Sequence, residues 1–197
     1  MSMQPGFHDI PAGHLAAVVT HLEMTVRPDP RPEHDAGLSL RRVDAPDPDW
    51  YRALYQRVGE DWLWFSRLTM PEAELQAILN DPKNHVYVLE KDGEEAGLLE
   101  LDFRQENDCE LAFFGLTPGA IGGGAGRWMM NRAIELAWAE PIARFHVHTC
   151  TLDHPAALDF YRRSGFTPVS RELEIAPDPR LDGTLPATAA PHVPILR

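Results

Sequence analysis

Between Leu116 and Arg127 the chain reads Leu-Thr-Pro-Gly-Ala-Ile-Gly-Gly-Gly-Ala-Gly-Arg, with glycine at 119, 122, 123, 124 and 126. Glycine has no Cβ, so this backbone can turn sharply and bring its N–H groups up against a ligand. A helix starting at the loop adds a dipole that favours negative charge at the same point. A phosphate or pyrophosphate is the natural guest. A strand–helix turn that binds nothing rarely needs so many glycines. Two common phosphate loops do not fit. A Walker loop ends in Gly-Lys-Ser/Thr, whereas Gly126 is followed by Arg127 and Trp128. A dinucleotide loop needs Gly-x-Gly-x-x-Gly, but the third position counted from Gly124 is Met129. The acid such a loop also wants about 20 residues on is absent near Phe145-His-Val-His148.

Two further groups are able to do chemistry. His146 and His148 share one face of a strand by the two-residue period, with Cys150 further along. Zinc binds both residue types, but no fourth ligand is evident, and the milder reading is a strand face lining an acceptor cleft. Trp62, Trp64 and Phe65 form an aromatic run that would serve either as core or as a wall stacking on an aromatic or cationic acceptor.

The elements that must position these groups alternate along the chain. Leu38–Val43 reads as a strand, and Asp47-Pro-Asp-Trp caps a helix through about Val58, with Pro48 in its first turn. A second helix runs from Pro71 to about Asn80, with Leu75, Ile78 and Leu79 on one face. His85–Glu90 and Ala96–Phe103 form a hairpin turning at Lys91-Asp-Gly. Glu110–Leu116 is a strand leading into the glycine loop, and Arg127–Glu140 a buried helix leaving it. Phe145–Leu152 is a strand, Pro155–Ser164 a helix ended by Gly165, and Phe166–Ile175 a final strand. Hairpins mixed with crossovers predict an α/β (α+β) domain whose central sheet is mixed, largely antiparallel and flanked by helices.

Composition sets the limits. The chain has 197 residues, 44% hydrophobic, with a formal net charge of −12, enough apolar side chain to exclude an acidic disordered chain. No apolar run approaches the roughly 18 residues of a membrane helix, and Met1–Ile10 shows no basic n-region. Cys109 and Cys150 are too few for a disulfide framework, so a reduced cytoplasmic setting is expected. The acidity argues against a nucleic-acid partner. Seven of eighteen prolines fall in residues 1–50 and five in 177–197, which predicts a compact unit over 37–176. Residues 1–36 are then an N-terminal extension and connector, and 177–197 a Pro-rich tail. Within the extension, Leu15–Val26 is apolar enough for a strand or short helix. The apolar ending Val193-Pro-Ile-Leu suits an arm on the domain or on a second subunit, so a homodimer is left open; frayed ends are the alternative.

In the glycine loop and in a second segment the chain resembles the GCN5-related N-acetyltransferase (GNAT) family. The family motif is Gln/Arg-x-x-Gly-x-Gly/Ala between a strand and a helix, and Ile121-Gly-Gly-Gly124-Ala-Gly126 occupies that frame after an apolar-x-Pro lead-in, Leu116-Thr-Pro118. The second segment, Asp153-His-Pro-Ala-Ala-Leu-Asp-Phe-Tyr-Arg-Arg-Ser-Gly-Phe166, is similar to the family's Asn-x-x-Ala-x-x-Phe/Leu-Tyr-x-x-x-Gly-Phe. Ile121 departs from Gln/Arg and His154 from Asn; Tyr161 follows Gly126 at 35 residues.

The resemblance implies the acyl-CoA N-acyltransferase fold, acetyl-CoA as cosubstrate without a metal, and transfer of the acetyl group to a small-molecule or peptide amine. It implies cofactor contacts at Leu116, Ile121, Gly122, Gly123, Gly124, Ala125, Gly126, Arg127, His154 and Tyr161. Tyr161 is then the acid that protonates the departing thiolate, since a tyrosine with pKa near 10 keeps its proton at neutral pH. Glu110, eleven residues before Ile121, is the candidate base acting through water. A backbone N–H near Phe114–Leu116, where the family strand splays, stabilises the oxyanion. The acceptor wall comprises Trp62, Trp64, Phe65 and His148, and the acid surplus leans towards a cationic amine. A non-catalytic acyl-CoA-binding module on the same fold is the rival reading, favoured by Ile121 and His154.

Overall fold

The structure is a computed structural model that describes residues 4–34 and 37–197. Its strands follow the period-two pattern. β1 (His14–Met24), β2 (Leu38–Val43), β3 (Asn84–Lys91), β4 (Glu94–Asp102), β5 (Asp108–Leu116), β6 (Arg144–Cys150) and β7 (Thr167–Pro177) form one sheet in the order β2-β3-β4-β5-β6-β1-β7. Every neighbouring pair is antiparallel except β5–β6. The sheet is mixed and largely antiparallel, with helices packed on it. Asp92 (φ 55°) and Gly93 (φ 83°) supply the two left-handed residues that a tight β3–β4 hairpin requires.

Successive residues of β3 face opposite layers. Val86 and Val88 join Tyr51, Leu54, Tyr55 and Val58 of α1 (Pro48–Gly59) and Leu75 and Leu79 of α3 (Glu72–Leu79). Tyr87 and Leu89 join Met129, Met130, Ala133 and Ala137 of α4 (Ala125–Ala137) on the other side. α1 starts where its sequence says it must: the Asp47 carboxylate accepts from the Asp49 and Trp50 N–H groups, both at 3.0 Å. A 3-10 turn (Glu60–Trp62) and α2 (Ser66–Thr69) connect α1 to α3, and α5 (Ala157–Arg163) follows β6.

The segments expected to flank the compact unit enter it instead. β1 lies between β6 and β7, pairing from Val19 to Met24 with one and from His14 to Glu23 with the other. Leu22 and Met24 are core residues. The prolines at 28, 30 and 32 lie in the connector after this strand, so proline density marks the connector rather than the edge of the fold. The expected boundary at residue 36 lies outside the described residues, as do Met1–Met3.

The tail is likewise packed. Leu185, Ala189 and Ala190 are buried against Leu15 and Leu63. Arg180 organises it, pairing with Asp178 at 2.7 Å with both side chains at most 2% exposed. One of its guanidinium nitrogens also donates to the carbonyls of Ala189, Ala190 and Val193, at 3.2, 3.3 and 2.9 Å. Removing one member of such a buried pair strands the other charge, at a cost of about 3–5 kcal/mol. Arg180→Gln should therefore lower the melting temperature by roughly 10 °C for a chain of this size. A change of less than 2 °C in thermal denaturation would show that the tail does not depend on this pair.

Candidate functional site

The sheet opens where the only parallel ladder among the described residues stops. β5 and β6 pair at Asp108↔Arg144, Cys109↔Phe145 and Glu110↔His146 and no further. At the same level the β4–β5 register shifts between Glu100 and Leu101, leaving Ala112 without a partner. Such a bulge bends the strand away from its neighbour. The two strands part around a cavity of about 440 Å³, lined on one side by Leu111 to Leu116 and on the other by Val147, His148 and Cys150. Backbone polar groups of β5 on the β6 side thus lack a strand partner beyond Glu110 and are left for a bound molecule.

The glycine loop forms one rim. Ile121, Gly122, Gly126 and Leu116 line the cavity. Gly124 precedes the first turn of α4 and provides no side-chain cap, so that turn's N–H groups have no intrahelical partner. Gly122 and Gly124 adopt φ of +97° and +87°, which other residues rarely adopt. A Cβ on Gly122, Gly123 or Gly124 would meet no protein atom within 4 Å. Open space over unpaired N–H groups fits a pyrophosphate. Ala125 is buried beneath the loop and Ile121 is exposed. Arg127 lies outside the cavity and donates to the Pro32 carbonyl at 3.1 Å.

The opposite wall is aromatic. Trp62, Trp64 and Phe65 all line the cavity. Trp64 packs on Tyr55 and Phe113 with ring centroids 5.4 and 5.3 Å away. Two glycines make room for it: a Cβ on Gly59 would fall 2.3 Å from Trp64, and one on Gly115 would fall 2.4 Å from Val58. The indole N–H donates to Asp153 at 3.3 Å. Asp153 also accepts from Thr149 Oγ1 and the Cys150 N–H, so one carboxylate ties the wall to the end of β6. Trp62 stands edge-on to His154 at 5.0 Å and is 6.0 Å from His192 of the tail. His154 Nδ1 accepts from the Ala156 N–H at 3.1 Å, a local cap of the kind an Asn side chain makes.

Four of the titratable groups that face or adjoin this space bear on its chemistry. His148 lines it and its Nδ1 lies 3.3 Å from Glu110, which itself does not line the cavity. Their hydrogen bond raises the pKa of His148 above its ordinary 6.5 and lowers that of Glu110. With Nδ1 turned to the carboxylate, Nε2 is the nitrogen free to accept a proton in the neutral ring. Tyr161 also lines the cavity, and burial, reinforced by Asp153, raises its pKa far above the usual tyrosine range. It keeps its proton. Burial pushes the Cys150 thiol up to about 11, so at neutral pH it is not a thiolate nucleophile. Among the described residues no three His, Cys, Asp or Glu side chains gather as a metal set, and His146, His148 and Cys150 do not form one.

The cavity thus gathers ten of the predicted residues, namely Leu116, Ile121, Gly122, Gly126, His154, Tyr161, Trp62, Trp64, Phe65 and His148. Glu110 reaches it only through His148. Gly123, Gly124, Ala125 and Arg127 belong to the loop and helix start behind the rim. Sequence reasoning missed Asp153, Arg163 and Glu174, which also line it. Arg163 sits two residues before Gly165 in a recognised motif, but nothing local marks Glu174.

The model of the acetyltransferase (GNAT) family matches residues 49–166, more than half of the chain. The chain belongs to the GNAT family. That is a family of acetyltransferases, and the loop geometry above fits the pyrophosphate of acetyl-CoA. No curated protein sequence matches the chain. Among solved structures, a conserved protein of unknown function from Staphylococcus epidermidis aligns at 13% identity and TM-score 0.59, over 84% of this chain and 63% of its own. A GNAT protein from Sphaerobacter thermophilus aligns at 16% identity and TM-score 0.60, over 83% and 53% respectively. The aminoglycoside acetyltransferase meta-AAC0020, from an uncultured soil metagenomic sample, aligns at 20% and 0.53 over 66% of this chain and 89% of its own. At these identities the likeness is one of fold, and the chain spans less than two thirds of the first two proteins. No described helix is long and apolar enough to cross a membrane.

The loop geometry yields a paired test. Gly124→Ala adds a Cβ at a left-handed position facing open space, at a folding cost of about 1–2 kcal/mol. It should weaken acetyl-CoA binding tenfold or more in calorimetric titration, whereas Gly119→Ala, on the same loop without positive φ, should leave it unchanged. Equal affinities for both variants would exclude the loop as the phosphate cradle.

Proposed function

We propose that this protein is an N-acetyltransferase that moves an acetyl group from acetyl-CoA to a cationic primary amine by direct attack, both substrates bound together. One observation carries the reading. A histidine held by a carboxylate and a tyrosine that retains its proton border a single cavity between the parted strands. Acetyl-CoA supplies the activated acyl group as a thioester.

The residues divide the remaining work. An amine arriving as an ammonium ion must lose a proton before its nitrogen lone pair can attack. His148 accepts that proton at Nε2, directly or through water, while Glu110 fixes the ring and stabilises the imidazolium. Glu110 is thus a positioning residue rather than the base itself. Unpartnered backbone N–H groups of β5 beyond Glu110 stabilise negative charge on the carbonyl oxygen. Tyr161 donates its hydroxyl proton to the departing sulfur, and the proton that His148 took from the ammonium returns through water to restore the tyrosine. No acyl-enzyme is needed, in keeping with the un-ionised Cys150 thiol. Asp153 and Glu174 on the lining, with Trp62 and Trp64, favour an acceptor carrying positive charge.

A non-catalytic acyl-CoA-binding module is the second reading, and the exposed apolar Ile121 on the loop favours it. Turnover separates the two. Thiol release from acetyl-CoA should accelerate with at least one member of a panel of polyamines, aminoglycosides and basic peptides; no acceleration by any amine would leave the binding module. Tyr161→Phe should lower kcat about 10²-fold or more with little change in KM, since it removes only a proton donor. Full activity in that variant would dismiss Tyr161 as the acid.

The pH profile tests the base. His148 works when deprotonated, so kcat/KM should rise with pH through the His148 pKa, above 6.5 because Glu110 favours the charged ring. Glu110→Gln removes that carboxylate, which moves the acidic limb to lower pH and lowers the plateau. An unshifted limb would mean that another group titrates.

A further inference from the structure

The Pro-rich connector between β1 and β2 lies across the helix ends beside the glycine loop. Near its start Pro28 packs on Gly165, where an added Cβ would fall 3.2 Å from Pro28 Cγ. Further on, the Arg31 N–H donates to Asn131 Oδ1 at 3.3 Å, and Asn131 Nδ2 donates to the Arg31 carbonyl at 2.8 Å. Arg127, one turn earlier on α4, holds the next carbonyl, that of Pro32. The connector therefore bridges the end of α5 and the first turns of α4, with Arg31 between these anchors.

This arrangement gathers three arginines from three separate parts of the chain. Arg127 stands in the first turn of α4, Arg163 at the end of α5 on the cavity lining, and Arg31 on the connector. Among the described residues none of the three is paired with a carboxylate. Glu33, the acid next along the connector, is taken by Arg132 and Asn131, both at 2.5 Å. The chain has 30 acidic residues against 18 basic ones, so three unpaired neighbouring arginines run against its composition. They also repel one another: burial, then Arg127 and Arg163, lower the pKa of Arg31. The fold holds like charges together where an anion would neutralise them.

We propose that Arg31, Arg127 and Arg163 form a binding site for the phosphomonoester on the 3′ position of the acetyl-CoA ribose. The inference rests on the reading of acetyl-CoA as substrate and goes beyond it by assigning its third phosphate. The pyrophosphate needs only the N–H groups of the loop, which are backbone and carry no full charge. The 3′-phosphate is a separate group of charge near −2, suited to guanidinium forks at the flank of that loop. The connector, outside the residues matched by the family model, thereby becomes part of the cosubstrate site.

The discriminating ligand is 3′-dephospho-CoA, which keeps the pyrophosphate and the pantetheine arm. Titration of the full chain with CoA, dephospho-CoA and inorganic phosphate, at one fixed ionic strength, reads the site directly. CoA should bind at least tenfold tighter than dephospho-CoA. Arg31→Gln keeps the backbone bonds to Asn131, and its melting temperature should match that of the parent. It should weaken CoA about tenfold, the loss of one charge-assisted contact, and leave dephospho-CoA unchanged. An equal loss for both ligands would assign the arginines to the pyrophosphate or to the fold and overturn the proposal. Equal binding of both by the parent chain would overturn it while leaving the acetyltransferase reading intact. Binding of neither would remove that reading and this site together, and phosphate alone binding as tightly as CoA would break the assignment to the cosubstrate.

Discussion

The end of the parallel ladder after Glu110↔His146 is the constraint on which the rest of the molecule depends. A sheet gains its stability by pairing every backbone donor and acceptor, and each buried group left unpaired costs about 1–3 kcal/mol. Here two central strands forgo that pairing over the length of the cavity. The fold keeps them apart from both layers. Phe114 is drawn to Phe160 and Tyr161 of α5, at 5.7 and 6.4 Å, while Phe113 turns to Tyr55 and Trp64 at 4.9 and 5.3 Å. The two-residue period of the strand sends these neighbouring phenylalanines to opposite layers, and the bulge at Ala112 turns the strand away from β6. The unpaired edge is then a resource, since it offers backbone hydrogen bonds that only a ligand or water can complete.

Holding that gap open needs a rigid wall, and the wall rests on a buried charge. Glu100 of β4 is fully buried; it accepts from Tyr51 Oη and, at 2.6 Å, from Arg67 of α2. Arg67 also lies over the Phe113 ring, 5.1 Å from its centroid. Burial and the Glu100 charge raise the Tyr51 pKa well above its usual range, so the hydroxyl remains a donor. A buried pair of this kind is weak evidence for net stability, because its desolvation offsets most of its attraction. It is better evidence for position. The geometry lets α2 sit in one place above β4, and Trp64, Phe65 and Ser66 of the cavity wall lead into α2.

What the sequence reveals follows from how local each interaction is. The Asp47 cap, the Asp92-Gly93 turn and the glycine loop are settled by neighbours within a few residues, and all are legible as strings. Glu110 is legible only in part. Its spacing from the loop marks it, but its partner His148 lies on another strand, so the string offers a base and a wall residue where the geometry gives one pair. β1 is hidden for a similar reason. Its residues pair with strands more than 120 positions away, and no short window records that. The Asp178–Arg180 pair is only two residues apart in sequence, yet its meaning comes from carbonyls 9 to 13 residues after Arg180. Arg31 is the extreme case, an ordinary residue of a polar linker until α4 holds it beside two other arginines.

The formal charge of −12 conceals a division that bears on both substrates. On the connector side, Arg31 and Arg127 flank the first turns of α4, and Arg163 ends α5 on the cavity lining. Asp153, Glu174 and His148 also line the cavity, with Glu110 behind His148. On the proposed reading the arginines would draw the anionic cosubstrate and the carboxylates a cationic acceptor. Such steering acts over about a Debye length, some 8 Å at physiological salt, so it sorts the substrates at the mouth rather than at a distance. With the net charge set by the acidic surface, the cationic acceptor proposed above would be the partner that gains from the overall field within that range. The cosubstrate approaches against the net field and relies on short-range contacts once there. A loop of bare N–H groups and a strapped arginine are suited to that, because both bind only at close range.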